Sequence, residues 1–207
     1  MIERRITRLN EEISRWAFEI KIETSKDWKI IFTNPTAGPW KKIMCTDENN
    51  NVGEVYRFQL EEERPDIIMI NDDLKMILII EAKDSIEKLT QGTQANKTVE
   101  VTENMAKMLM ENGHNRFWNE RSQYKTYLGL LWGNDGLDGS SKIESLFKNH
   151  YSLLVKNPHI EKELIIGIET IFDASSNSIK CVPHYFYKEK TEFINSVMTS
   201  LASIDGL

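Results

Sequence analysis

Two runs of purely apolar residues, Ile67–Ile70 and Met76–Ile80, flank a polar Asn71-Asp72-Asp73 segment. The pattern reads as a buried β-hairpin. Strands with no polar alternation belong to a sheet covered on both faces, so this hairpin asks for helices on either side of it.

Charged groups collect at the open end of the hairpin. Asp66 opens the first strand, and Glu81 and Lys83 close the second. A two-residue Asp72-Asp73 turn would pair Asn71 with Leu74 and set Asp66 opposite Ile79. Side chains alternate along a strand, so Asp66, Ile79, Glu81 and Lys83 would then share one face. Asp66 and Glu81 become diagonal neighbours, roughly 7–8 Å apart at the backbone. Carboxylates that close can share a hard divalent cation, with a lysine beside them. Charge next to an apolar run needs such a partner or a metal.

Pro65-Asp66 followed by Glu81-Ala82-Lys83 on an apolar strand resembles the PD-(D/E)xK nuclease superfamily. Other acid-x-lysine triplets, such as Glu19-Ile20-Lys21, Asp27-Trp28-Lys29 and Asp73-Leu74-Lys75, lack the preceding Pro-Asp pair and the apolar run. The resemblance implies that Asp66 and Glu81, helped by the Ala82 carbonyl, hold one or two Mg²⁺ ions, with Mn²⁺ as a substitute. It implies that Lys83 activates or positions water, or stabilises the transition state of phosphodiester hydrolysis. Family members often add a carboxylate from the first helix, for which Glu12 and Glu19 are the candidates. The implied fold is α/β, a mixed central sheet flanked by helices with an αβββαβ core.

Net charge is −6, from 26 basic and 32 acidic residues. That argues against a general nucleic-acid coat protein but not against a nuclease, for which the local placement of positive charge matters. A chain of 207 residues is read as a single nuclease domain, 1–207. No apolar run approaches the ~20 residues of a membrane span. Met1–Arg5 lead into an amphipathic stretch without a signal-peptide core. Cys45 and Cys181 offer neither zinc spacing nor a disulfide framework, which suits a cytoplasmic setting. The four histidines form no HxxxH or HxH pair, and no GxSxG elbow or phosphate-binding glycine loop is present, so no nucleotide cofactor is expected.

Along the chain, Ile2, Ile6, Leu9, Ile13, Trp16, Ala17 and Ile20 predict an amphipathic helix over 2–21, with Glu12 and Glu19 bordering its apolar stripe. Residues 33–53 read as irregular, and Val55–Leu60 as a strand preceding the hairpin. The polar Asp84–Lys97 segment leads to a helix over Val99–Asn112 capped by Asn96 or Thr98. Tyr124–Trp132, Leu164–Phe172 and Ile179–Tyr187 read as strands. Lys142–Val155 and Thr191–Ile204 read as helices.

Gln91, Gln94, Asn96 and Lys97 follow the candidate site directly and are expected to contact DNA, since Gln and Asn can bond adenine and Lys guanine. Lys41 and Lys42, in the Trp40–Lys42 turn, form a second candidate contact. The activity expected is a Mg²⁺-dependent endonuclease on double-stranded DNA, a type II site-specific restriction enzyme acting as a homodimer, since cutting both strands of a palindrome needs two sites. The alternatives are a structure-selective repair or junction-resolving nuclease, and a non-catalytic binding or assembly protein on the same fold.

Overall fold

The computed structural model describes residues 2–34, 42–59, 62–133, 139–173 and 178–204, and the side chains among these from Glu11 onward, Asp173 excepted. Its centre is a six-stranded mixed sheet in the order β1-β4-β5-β6-β7-β8. The strands are β1 Trp28–Thr33, β4 Ile67–Asn71, β5 Met76–Lys83, β6 Lys125–Gly133, β7 Leu164–Asp173 and β8 Ser178–Tyr187. Strands β2 Lys42–Thr46 and β3 Val52–Arg57 form a separate antiparallel pair. Antiparallel pairing joins β1, β4 and β5, while β5, β6 and β7 run parallel.

Helices cover both faces, as the unbroken apolar strands require. Phe18 and Ile22 of α1 (Ile2–Glu23) and Val197 and Leu201 of α5 (Glu192–Ala202) pack with Met69, Leu78 and Ile80 on one face. On the other, Met105 and Leu109 of α3 (Gly92–Glu111) pack with Ile68, Ile70, Ile77 and Ile79. Farther along that face lie α2 (Ile86–Thr90) and α4 (Ser140–Leu154), with Leu146 and Phe147 against Leu128, Leu130 and Trp132. The segment from β5 through α2 and α3 is the crossover that parallel β5 and β6 need. Gly167 on β7 lies under this layer. A Cβ there would stand 2.8 Å from both the Phe147 and Trp132 rings, so only a glycine lets them settle on the strand.

The structure corrects the expected hairpin register. Asn71 pairs with Met76, not Leu74, because the turn has four residues, Asp72–Lys75, instead of two. The Asn71 carboxamide oxygen accepts the Leu74 N–H at 2.9 Å, and Lys75 takes a left-handed φ of 52° to close the turn. Ile67 therefore pairs with Ile80, and Asp66, just before the strand, bonds through its N–H to the Ile80 carbonyl, two residues nearer the end of β5 than Leu78 and past the Ile79 that was expected. The slip is two residues. An even slip returns every side chain to its original face, so Asp66, Ile79, Glu81 and Lys83 still share one.

Other expectations change as well. The first strand of the main sheet is Trp28–Thr33, and the Val55–Leu60 segment belongs instead to the separate β2–β3 pair. Part of the stretch read as irregular is strand β2. Helix α3 begins at Gly92, so Asn96 and Thr98 lie inside it and cap nothing. The short helix α2 and a 3₁₀ turn at Asn119–Gln123 were not foreseen.

Helix α1 forms as expected, and the part of its stripe among the described side chains faces out: Ile13, Trp16 and Ile20 are 42%, 67% and 61% exposed. Ser14, Arg15, Phe18 and Ile22 face in. The polar pair on the inner side is tied down, with Thr170 Oγ1 donating to Ser14 Oγ at 2.6 Å and Arg15 Nη1 to the Asn34 carbonyl at 2.7 Å. Among the described residues, no helix is long and apolar enough to cross a membrane.

Candidate active site

Asp66 is held by its main chain before its side chain is considered. Its N–H donates to the Ile80 carbonyl at 3.1 Å, and its carbonyl accepts the Asn34 N–H at 2.7 Å. These bonds fasten the chain just before β4 to β5 on one side and to the residue after β1 on the other. The Asp66 carboxylate then turns along the sheet edge, where its Oδ2 accepts the Ala82 N–H at 2.8 Å. Pro65, buried just before it, fixes the approach of the chain and favours extended backbone.

Strand β5 ends at the same edge. Lys83 Nζ donates to Glu81 Oε1 and to the Ala82 carbonyl, each at 2.6 Å, and stands 3.9 Å from Asp66 Oδ2. Side-chain exposure is 18% for Lys83, 13% for Glu81 and 11% for Asp66. Two carboxylates and a peptide carbonyl thus converge on one ammonium at the rim of the core. Burial alone would lower the Lys83 pKa, but Glu81, Asp66 and Glu11 outweigh it and raise it. Lys83 is therefore a cation at neutral pH, suited to holding negative charge and not to taking up a proton.

Two helices close the group. Gln94 of α3 donates its side-chain N–H to Glu81 Oε1 at 3.1 Å and to Thr98 Oγ1 at 3.4 Å. From α1 comes Glu11, whose carboxyl is raised by burial, lowered by Lys83, and raised again by Asp66 and Asp84. Glu11 is thus the carboxylate of the first helix within electrostatic reach of the site. No protein-family model matches this chain, and no curated protein matches it significantly.

Of Glu12 and Glu19, the residues singled out from sequence for that role, Glu19 is engaged elsewhere. Glu19 accepts from Thr33 Oγ1 at 2.5 Å and pairs with Arg15 at 3.4 Å. Both candidates border the outward stripe. Glu11 lies on the other side of the helix. The signal that identifies Glu11 is its spacing of seven from Phe18, which puts it on the inner face.

The expected DNA-contacting residues are scattered. Gln94 has its amide turned to Glu81 and not outward. Gln91 is exposed between α2 and α3, and Asn96 Nδ2 donates back to the Gly92 carbonyl at 2.7 Å. Lys97 pairs with Glu63 at 2.8 Å, and Lys42 pairs with Glu54 at 3.0 Å on the β2–β3 pair. Lys41 and Trp40 lie outside the described residues.

The oxygens of Asp66, Glu81 and Ala82 are hard donors of the kind Mg²⁺ or Mn²⁺ takes. They already gather positive charge, in the form of the Lys83 ammonium. Among the described residues no three His, Cys, Asp or Glu side chains converge to hold an ion by themselves. A cation here would rely on the carbonyl, on water and on substrate phosphate to complete its shell, as Mg²⁺ commonly does.

The excess of carboxylate shows in Glu81. Burial first, and then Asp66, push its carboxyl up to about 7 from an ordinary 4.5, despite Lys83. A carboxyl raised on folding holds its proton more tightly in the folded chain. Its stabilising contribution is full below about pH 4 and is lost as pH rises through about 7. Without metal, Glu81→Gln should therefore leave stability nearly unchanged at pH 5 and raise it by on the order of 1–3 kcal/mol at pH 8. Denaturant titrations in chelator at the two pH values measure this. An equal change at both would show that Glu81 carries no raised pKa.

Proposed function

We propose that this chain is a Mg²⁺-dependent endonuclease that hydrolyses phosphodiester bonds of double-stranded DNA, site-specific in the manner of type II restriction enzymes. The reading rests on one observation: the carboxylates of Asp66 and Glu81 and the Ala82 carbonyl converge around Lys83 at the end of a buried strand. A purely structural ion pair needs one carboxylate per lysine, whereas here Asp66, Glu81 and Glu11 all bear on Lys83. The succession α1, β1, β4, β5, α3, β6 also follows the αβββαβ order that the resemblance implies.

In this mechanism Asp66, Glu81 and the Ala82 carbonyl would hold the cation, which when bound would supply a water of lowered pKa and offset charge on the scissile phosphate. Lys83 stays protonated, orients the attacking water and stabilises the negative charge that develops on the phosphoryl oxygens. Gln94 holds the Glu81 carboxylate in place through Oε1, leaving Oε2 free of that contact.

The test is a digest of supercoiled plasmid with Mg²⁺, with Ca²⁺ and with chelator. Discrete linear fragments in Mg²⁺ alone are expected. Cutting in chelator would remove the metal from the mechanism, and cutting confined to branched duplexes would replace site specificity by structure selectivity. No cutting of any DNA would overturn the assignment.

Gln94 gives a subtler check. Gln94→Ala should raise the Mg²⁺ concentration for half-maximal rate roughly 10-fold, the lower scale for losing a hydrogen bond that orients a metal-ligating group. Base preference should be unchanged. A shift in cleaved sequence at constant Mg²⁺ requirement would restore Gln94 to base readout.

A further inference from the structure

We propose that His184, held by Glu169, is a docking contact for a DNA backbone phosphate beside the one that Lys83 faces. The proposal rests on the nuclease reading and gives that site a second grip on its substrate.

The register of the sheet sets the two groups in line. Glu81 on β5 pairs with Leu130 on β6, Leu130 with Gly167 on β7, and Gly167 with His184 on β8. One row nearer the strand ends, Lys83 pairs with Trp132, Trp132 with Glu169, and Glu169 with Val182. Paired residues share a face, so Glu81, Lys83, Glu169 and His184 stand together on one face, close to the same ends of the parallel strands. Three strand spacings separate β5 from β8, about 14 Å at roughly 4.8 Å each. One DNA strand advances about 3.4 Å along its axis per nucleotide, so a bound strand covers that interval within a few phosphates.

The imidazole is fixed from two sides. His184 Nε2 and Glu169 Oε2 are bonded at 2.9 Å. The ring also lies on Trp132, with centroids 5.6 Å apart and planes at 25°. Trp132 reaches it across Gly167, where a Cβ would stand 2.8 Å from the indole. Glu169 has a side chain 7% exposed, and that of His184 is 26% exposed on the outermost strand of the sheet. A buried carboxylate needs a partner, and Nε2 supplies it. Nδ1 is left over: among the described residues it makes no hydrogen bond. A ring serving only to neutralise Glu169 has no need of an open second nitrogen at this place.

The chemistry of that nitrogen selects the ligand. With Nε2–H given to Glu169, a neutral ring presents a lone pair at Nδ1, which repels a phosphate oxygen. The imidazolium donates from both nitrogens, one to Glu169 and one to the phosphate, in a charge-assisted bond. Docking therefore takes up a proton. Around the ring stand Glu169 from β7, Trp132 from β6, and Val182 and Phe186 from β8 itself. Phe147 and Tyr151 of α4 pack on Phe186, and Lys188 stands over the Tyr151 ring. A phosphate contact of this kind positions the duplex and carries no base preference.

A chemically similar pair elsewhere provides the control. His159 is bonded to Glu103, and two residues on the Glu161 N–H donates to the Thr126 carbonyl near the start of β6, at the opposite end of the sheet from Lys83.

The test is fluorescence anisotropy of a labelled plasmid fragment in Ca²⁺, over a salt series at pH 6 and pH 8, with the parent, His184→Asn, His184→Gln and His159→Asn. At pH 6 each folded His184 variant should bind about 10-fold more weakly than the parent, the lower scale for a hydrogen bond to a charged group. Its salt dependence should fall by about one counterion. At pH 8 parent and variants should converge, and His159→Asn should match the parent throughout. Two substitutions of different length keep the test open if one fails to fold. Parental affinity and salt slope in a folded His184 variant at pH 6 overturn the proposal. So does an equal loss at both pH values, or an equal loss in His159→Asn, since either makes the histidine a packing residue. Plasmid digests in Mg²⁺ separate the two ideas. A parent that shows the proton-linked contact but cuts no DNA sinks the nuclease reading and leaves the contact standing. A parent that cuts while the His184 variants bind as it does sinks the contact alone.

Discussion

Replacing Asp66 or Glu81 by alanine is expected to bring Mg²⁺-dependent cleavage to background. Under the proposed mechanism each substitution removes one of two carboxylates for the cation, leaving a carboxylate and a carbonyl. The two variants should nevertheless differ in stability. Asp66 Oδ2 accepts the Ala82 N–H, a buried bond. Asp66→Ala leaves that donor unpaired and should destabilise the fold by about 1–3 kcal/mol. Asp66→Asn keeps a side-chain acceptor, so its melting midpoint should stay closer to the parent while cleavage is equally lost. The Glu81 carboxylate instead accepts from the Lys83 and Gln94 side chains, and Glu81→Ala relieves a buried charge. Gel assays of supercoiled plasmid, paired with thermal melts and with DNA binding in Ca²⁺, read all three effects. Full cleavage by any of these variants would remove the residue concerned from the site.

Lys83→Ala should lower the single-turnover rate at saturating Mg²⁺ by roughly 10²-fold or more, the scale for losing one stabiliser of transition-state charge. Binding of DNA should change far less. The structure adds a second consequence. Lys83 is the cation shared by Glu81, Asp66 and Glu11, so its loss leaves three neighbouring carboxylates to repel one another. The metal-free variant should therefore be less stable than the parent at pH 8 and recover part of the loss on adding Mg²⁺. A variant that binds DNA poorly yet cuts at the parental rate once saturated would make Lys83 a docking residue.

Much of this site was legible because it lies in one short stretch with strong local signals. The apolar runs fix β4 and β5, and Asp66, Glu81 and Lys83 are the charges that interrupt them. Even the wrong turn length did no harm, since a two-residue slip preserves the face. Strand β1 was harder to see. A bulge between Ile30 and Phe32 breaks the alternation of Trp28–Thr33, so period two never becomes visible. The start of α3 was hidden for a different reason. Gln91 precedes it without any side-chain cap bond, whereas Asn96 and Thr98 look like caps and are not. That displacement made Gln94 look like a loop residue free to read bases. Helix α1 was legible as a helix, but both its faces carry apolar residues, and Ile13, Trp16 and Ile20 of the more regular stripe are outside.

The way Asp66 is anchored has a consequence for how the protein fails. Its amide and its carboxylate are both tied to β5, at Ile80 and Ala82, and its carbonyl to Asn34, just past the end of β1. No loop motion can open the distance between Asp66 and Glu81. Only separation of β4 from β5 can do so, and those strands are wholly buried save at their rim. The amide proton of Ala82 should accordingly exchange with solvent only through global unfolding. Cleavage lost in rising denaturant should fall along the same curve as tertiary structure, with no earlier step in which a folded chain has already lost its site.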